Sequence, residues 1–265
     1  HEELLEYSFF PKPSVLITCE SIRQESISVR DRIYLPHYIL PKASDIGLPS
    51  NIRFNHVFLP SIPPYTYKEI NQNLQADIKF HNVGYPKLCT TSPSSNCFPN
   101  SDLPMIIYAP SLDLKLLFET LDKGIIEIFK KMNFFNFLIK LHPSLASRRH
   151  YISSFLWQQL KFEEHILIDE LSGIQSLAKE SSLMIADFGS MGCEYRLRFG
   201  KRVVFLETPE EYEGGADLIF RDNFADAICR VQELENTIVN LMEKGDLSSS
   251  ELNLMRQEVL SFNGE

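Results

Sequence analysis

Twice between Leu138 and Glu194 the chain runs an apolar strand into a short polar turn, a pattern that few architectures accommodate. Leu138-Ile-Lys-Leu-His-Pro143 sets Lys140, His142 and a chain-stopping proline at the end of one apolar run. Leu183-Met-Ile-Ala-Asp-Phe-Gly-Ser-Met-Gly-Cys-Glu194 carries a second run into Asp187, two glycines and Ser190, with a helix to follow. In open parallel sheets ligands bind off the carboxyl ends of strands, and small residues at a helix start leave backbone N–H groups available to an anion. Two such ends in one sheet imply a site for a nucleotide diphosphate.

The surrounding pattern supplies that sheet. Met105–Ala109, Phe137–Leu141, Ile166–Ile168, Leu183–Ala186 and Val203–Leu206 read as strands. Leu114, Leu117, Phe118, Leu121, Ile125 and Ile128 recur at helical spacing, and helices are expected over 151–160, 174–179 and 191–198. The ending, 224–244 and 251–262, reads as helical. Strands alternating with helices predict a parallel sheet with right-handed crossovers. Residues 90–102, rich in Ser, Pro and Asn, read as a linker. Before it lie short apolar runs at 14–18, 32–35 and 56–59, with a helix expected around 67–75. The expected fold class is therefore α/β with two domains, residues 1–100 and 101–265. The first resembles the closing part of an α/β domain whose beginning is absent.

Composition narrows the function. A formal net charge of −9 argues against a general nucleic-acid binder, because affinity for phosphate backbones needs clustered Lys and Arg. No apolar run approaches the ~20 residues that span a bilayer. The chain starts at His1 rather than Met, so upstream sequence, with any leader or membrane contact it carries, is expected. Five scattered cysteines favour reduced thiols and a cytoplasmic location. Cys89 and Cys97 flank a Ser/Pro-rich stretch, but the pair lacks metal-ligand spacing and a second pair. No Asp-x-Asp element is present, so no bound metal and no cofactor are expected.

Each candidate residue has a plainer reading beside the functional one. His142 can be a half-buried ring bonded to a carbonyl, and Lys140, expected on the same side as His142, can be a surface lysine. Asp187 can be a turn residue, Gly189 and Gly192 can serve only to tighten the turn, and Ser190 is a good N-cap with or without phosphate. Glu194 can complement the helix dipole. Ser111 closes the first strand of the domain in the same dual way, and Arg148 can be a solvated helix start. His37 can be a loop histidine packed among Tyr34, Pro36 and Tyr38.

Taken together, Ile106-Ile-Tyr-Ala-Pro-Ser111, Lys140-Leu-His-Pro143, Ile168-Asp169, Ile185-Ala-Asp-Phe-Gly-Ser190 with Glu194, and Lys201-Arg-Val-Val-Phe205 resemble the CDP-glycerol glycerophosphotransferase family of teichoic-acid and capsule polymerases. Val83-Gly-Tyr-Pro-Lys87 resembles the Gly-Tyr-Pro element that ends the family's first catalytic domain. The chain departs from the family pattern in two places. Phe188 and Gly189 stand where an aromatic and a second serine are usual, and His37 is followed by Tyr38 instead of glycine.

The resemblance implies a GT-B-like fold of two Rossmann-like lobes, the N-terminal one truncated, with the donor nucleotide on the C-terminal lobe. It implies transfer of glycerol- or ribitol-phosphate from a CDP-activated donor to a hydroxyl of a surface polymer or its primer, which can be lipid-linked. His142, with Arg148, would contact the donor phosphates. Ser111, Lys140, Asp187, Gly189, Ser190, Met191 and Glu194 would complete the donor site, and His37 would be the general base. Two alternatives stay open: a GT-B glycosyltransferase using a CMP- or UDP-activated sugar, and a non-catalytic nucleotide-binding module. The expected location is cytoplasmic, with peripheral contact on the inner face of the plasma membrane through upstream sequence.

Overall fold

The computed structural model describes residues 15–18, 30–35, 54–60, 78–88, 98, 102–143, 145, 150–169, 174–187, 189–209 and 221–260. His37, Arg148, the helix expected at 67–75, Phe188, Cys19, Cys89 and Cys97 lie outside them, as does nearly all of the linker. The chain divides into two compact units, residues 87–256 and residues 1–86 with 257–265.

In the first unit four short strands, β1 (Val15–Thr18), β2 (Asp31–Tyr34), β3 (His56–Leu59) and β4 (Lys79–Asn82), pair in that order, all parallel. The apolar runs predicted three of them. The fourth, Lys-Phe-His-Asn, has no apolar pattern, and cross-strand contacts account for its pairing. His81 packs edge-on against Phe58, with ring centroids 5.1 Å apart, and its Nε2 lies 2.9 Å from His56 Nδ1.

The second unit carries a six-stranded parallel sheet. Its strands are β5 (Met105–Ala109), β6 (Asn136–Lys140), β7 (Ile166–Asp169), β8 (Leu183–Ala186), β9 (Arg202–Leu206) and β10 (Ala227–Cys229). Their order is β10-β9-β8-β5-β6-β7. Numbered from β5, that is the doubly wound order 3-2-1-4-5-6, with its topological switch point between β5 and β8. Helices α1 (Leu114–Asp122), α2 (Ile125–Lys131), α3 (His150–Leu160), α4 (Ile174–Glu180) and α5 (Ser190–Phe199) make the crossovers from β5 to β9, and α6 (Leu234–Met242) and α7 (Ser249–Val259), the latter as far as Arg256, complete the unit.

Strands β5, β6 and β8 are buried along their whole length, which is why they read as continuous apolar runs: helices cover both faces. Phe129 stacks on Phe137 at 4.3 Å, with Tyr108 edge-on to Phe129 at 5.8 Å. Burying each such side chain contributes about 1.5–3 kcal/mol.

One expectation is borne out in finer detail and two are corrected. The apolar repeat through 114–128 is two helices, because Gly124 takes a left-handed conformation (φ 86°) between them. The stretch from Phe224, expected to be helical throughout, contains strand β10. There, pairing of Ala227, Ile228 and Cys229 with Val204, Phe205 and Leu206 overrides the local pattern. The preceding Asp226 anchors that edge. Its carboxylate takes Arg196 Nη2 at 2.9 Å, Arg202 Nη1 at 2.5 Å and the Val203 N–H at 2.8 Å. Finally, the N-cap of α5 is Gly189, not Ser190, which is the first helical residue.

Candidate donor site at the switch point

Of the residues singled out from the sequence, Ser111, Lys140, His142, Asp187, Gly189, Ser190, Met191 and Glu194 fall at or just past the carboxyl ends of β5, β6 and β8, while His37 and Arg148 lie outside the described residues. Ser111 follows β5 and Asp187 follows β8, on the two sides of the switch point. Asp187 is buried, 2% exposed. It accepts the Ser111 N–H at 2.8 Å through Oδ1 and the Ser111 hydroxyl at 3.3 Å through Oδ2. Ser111 Oγ in turn accepts the Asp113 N–H at 3.3 Å, and Asp113 caps α1 by accepting from Lys115 N and Leu116 N. Asp187 therefore ties the two strand ends together. Burial, and after it the Asp187 charge, push the Tyr108 phenol well above its ordinary pKa, so this ring stays neutral beneath the site.

Beyond Asp187 the chain enters α5 through Gly189, whose φ of 110° favours glycine and which gives the helix no side-chain cap. The first N–H groups of a helix have no partner within it. Together with the helix dipole they suit an anion. Gly192 brings this end of α5 down onto the sheet. A Cβ there would sit 2.5 Å from Phe205 Cζ and 3.1 Å from Val203 Cγ1. Ser190 Oγ donates to Glu194 Oε1 at 3.2 Å, and Glu194 Oε2 lies 3.5 Å from Lys87 Nζ. Met191 occupies the same first turn, half-buried.

Lys140 and His142 part company. Strand β6 ends at Lys140, which is buried. Its ammonium lies 3.0 Å from Asp169 Oδ2 and donates to the Asp169 carbonyl at 3.4 Å, across the β6–β7 pair. This is not the surface lysine of the plainer reading. His142 lies past the strand with its side chain exposed, and its carbonyl accepts the Leu145 N–H at 2.8 Å.

Sequence reasoning missed Lys87 and Asp113 as members of this constellation. Lys87 had a signal, since it closes the Gly-Tyr-Pro-Lys element. Asp113, two residues before a helical repeat, fits an N-cap pattern. Among the described residues no group of three or more His, Cys, Asp or Glu is placed to hold a metal, and no helix is long and apolar enough to cross a membrane.

No protein-family model matches the chain, and no curated protein matches it in sequence. Solved structures do resemble it. A provisionally named UDP-N-acetylglucosamine 2-epimerase from Listeria monocytogenes superimposes with a TM-score of 0.54 at 16% identity, covering 86% of this chain and 62% of that one. The S. aureus MnaA–UDP co-structure gives 0.54 at 11% identity, over 94% of this chain and 69% of that one. The Neisseria meningitidis UDP-GlcNAc 2-epimerase bound to UDP-GlcNAc gives 0.51 at 13%, over 85% and 64%. At these identities the likeness is one of fold. The architecture is α/β and GT-B-like, with two parallel sheets of Rossmann type. The chain spans 62% of the length of the Listeria protein.

Proposed function

We propose that this chain is a transferase of GT-B type that binds a nucleotide-activated donor at the switch point of its second sheet. The observation that carries this reading is the Asp187–Ser111 tie beside the glycine-capped start of α5. With the Asp187 charge taken up by Ser111, the anion-seeking groups at the strand ends are the first-turn N–H groups of α5, Ser190 and the exposed His142. That is the chemistry a diphosphate requires. The neighbouring structures with UDP or UDP-GlcNAc bound support a nucleotide donor in such a fold.

The finer reading rests on the Lys-x-His-Pro and Asp-x-x-Ser elements. The donor is a CDP-activated polyol, bound on residues 101–265, and the acceptor side is residues 1–100. An acceptor hydroxyl attacks the phosphorus next to glycerol or ribitol, forming the new O–P bond as the bond to CMP breaks. His37 takes the hydroxyl proton, and the positive end of α5, Ser190, His142 and Arg148 balance the charge on the leaving CMP. A polymer or lipid-linked acceptor places the reaction at the cytoplasmic face of a membrane. The second reading, favoured by the UDP-bound neighbours, is a UDP-sugar donor at the same groups.

Calorimetric titration with CDP-glycerol, CDP-ribitol, CMP-sialic acid and UDP-GlcNAc decides between them. The expected result is CDP-polyol binding at least ~10-fold tighter than the others, a difference of about 1.4 kcal/mol. Preference for UDP-GlcNAc would establish the second reading, and binding to none of the four would remove both. Turnover with an acceptor primer then separates an enzyme from a binding module.

A further inference from the structure

Glu194 presents an electrostatic problem for the site just proposed. It stands on α5, one turn from the helix start, its side chain only 14% exposed, and holds the hydroxyl of Ser190. A serine hydroxyl has one proton to donate. In this structure that proton points to Glu194, so Ser190 offers an incoming phosphate only lone pairs, with a carboxylate charge close behind. Both features oppose an anion. Lys87 addresses both. Its ammonium, 3.5 Å from Glu194 Oε2, balances the carboxylate and competes with Ser190 for its electron density.

We propose that Lys87 is a positioning residue for donor binding, neutralising Glu194 so that Ser190 can turn its hydroxyl proton to a phosphate oxygen. This rests on the nucleotide-donor reading above. Lys87 acts through Glu194, not by touching the donor. Its side chain is 42% exposed, so the pair's value to stability is small and its value lies in the sign of the local field. The residue type matters accordingly: an arginine at 87 keeps the charge, whereas a methionine of similar length loses it.

The test is a cycle in the full chain with CDP as probe: wild type, Lys87→Met, Glu194→Gln and both together, each checked for a native thermal transition. Lys87→Met is expected to weaken CDP binding roughly tenfold in the wild-type background and less than about threefold beside Glu194→Gln, where no carboxylate remains to neutralise. Lys87→Arg should restore the wild-type affinity. Equal losses in both backgrounds would overturn the proposal, because Lys87 would then act on the ligand directly, and no loss in either would overturn it as well. If the wild type binds neither CDP nor UDP, the donor reading falls, and this inference with it. A wild type that binds one of them while the cycle shows no coupling removes the inference alone.

Discussion

Asp187 accepts the backbone N–H of Ser111 at 2.8 Å, joining two residues 76 positions apart at the place where the strand order of the second sheet reverses. Removing the carboxylate leaves the Ser111 N–H and hydroxyl without that acceptor in a half-buried corner. Asp187→Ala is expected to cost about 1–3 kcal/mol of stability, the penalty for orphaning a polar group of this kind. Asp187→Asn, which keeps one acceptor oxygen, should cost less. Denaturant unfolding of both variants checks the order, and equal stability of Asp187→Ala and wild type would show that the tie contributes nothing.

Gly192 sets how closely α5 approaches the sheet. Alanine at 192 places its Cβ 2.5 Å from the Phe205 ring, itself fully buried. Overpacking of this sort typically costs about 1–3 kcal/mol. Alanine gains roughly 1 kcal/mol over glycine inside a helix. The clash involves a rigid ring, so it should win, and Gly192→Ala is expected to lower the unfolding midpoint. Adding Phe205→Leu should recover part of the loss. A stabilised Gly192→Ala protein would mean that the ring moves aside freely.

The sheet was legible in the sequence where both its faces are covered. Strands β5, β6, β8 and β9 read as apolar runs because their central residues lie between two helical layers, the polar Asn136, Lys140 and Arg202 standing only at strand ends. Strand β10, at the edge, was not legible. Ala-Ile-Cys forms a strand through pairing with β9 and the anchoring of Asp226 by Arg196 and Arg202, contacts that no local window contains. Strand β4 hid for the same reason. The candidate site was legible as strand ends and small residues. What each side chain touches was not: the partners Ser111–Asp187, Lys140–Asp169 and Lys87–Glu194 are long-range pairs, and residue type alone does not say whether a lysine faces water or a carboxylate.

Cys193 and Cys229 are both buried. Burial pushes the Cys229 thiol up from its ordinary pKa, against an opposing hydrogen bond from Thr237. The thiolate is the reactive form, so both cysteines should resist alkylation in the native protein near pH 8 and react on unfolding. Peptide-resolved mass spectrometry after iodoacetamide treatment reads this directly. Prompt native labelling at Cys229 would contradict the packing of β10 against α6.

His142 stands exposed past the end of β6, and the proposed function sets it against the donor phosphates. His142→Ala is expected to weaken CDP-ligand affinity by about 1–3 kcal/mol, the range for losing a hydrogen bond to a charged group. An exposed histidine contributes little to the core, so the melting temperature should hold. Unchanged calorimetric affinity would take His142 out of the site.

The last prediction concerns divalent ions. A leaving nucleotide phosphate such as CMP needs positive charge, and enzymes supply it either with a metal held by acidic residues or with helix N-termini and cationic side chains. The chain has no Asp-x-Asp element. Two carboxylates at the switch point are already engaged, Asp187 by Ser111 and Glu194 by Ser190 and Lys87. A metal would have to break those contacts, whereas the N-terminus of α5 is already in place. Turnover should therefore survive EDTA followed by dialysis. Since divalent ions also screen acidic primers and a protein of net charge −9, the decisive assay uses a short neutral acceptor, for which that screening gives no benefit. Complete loss of turnover there, restored by magnesium or manganese, would refute the metal-free mechanism and require carboxylates elsewhere in the chain to form the ion's site.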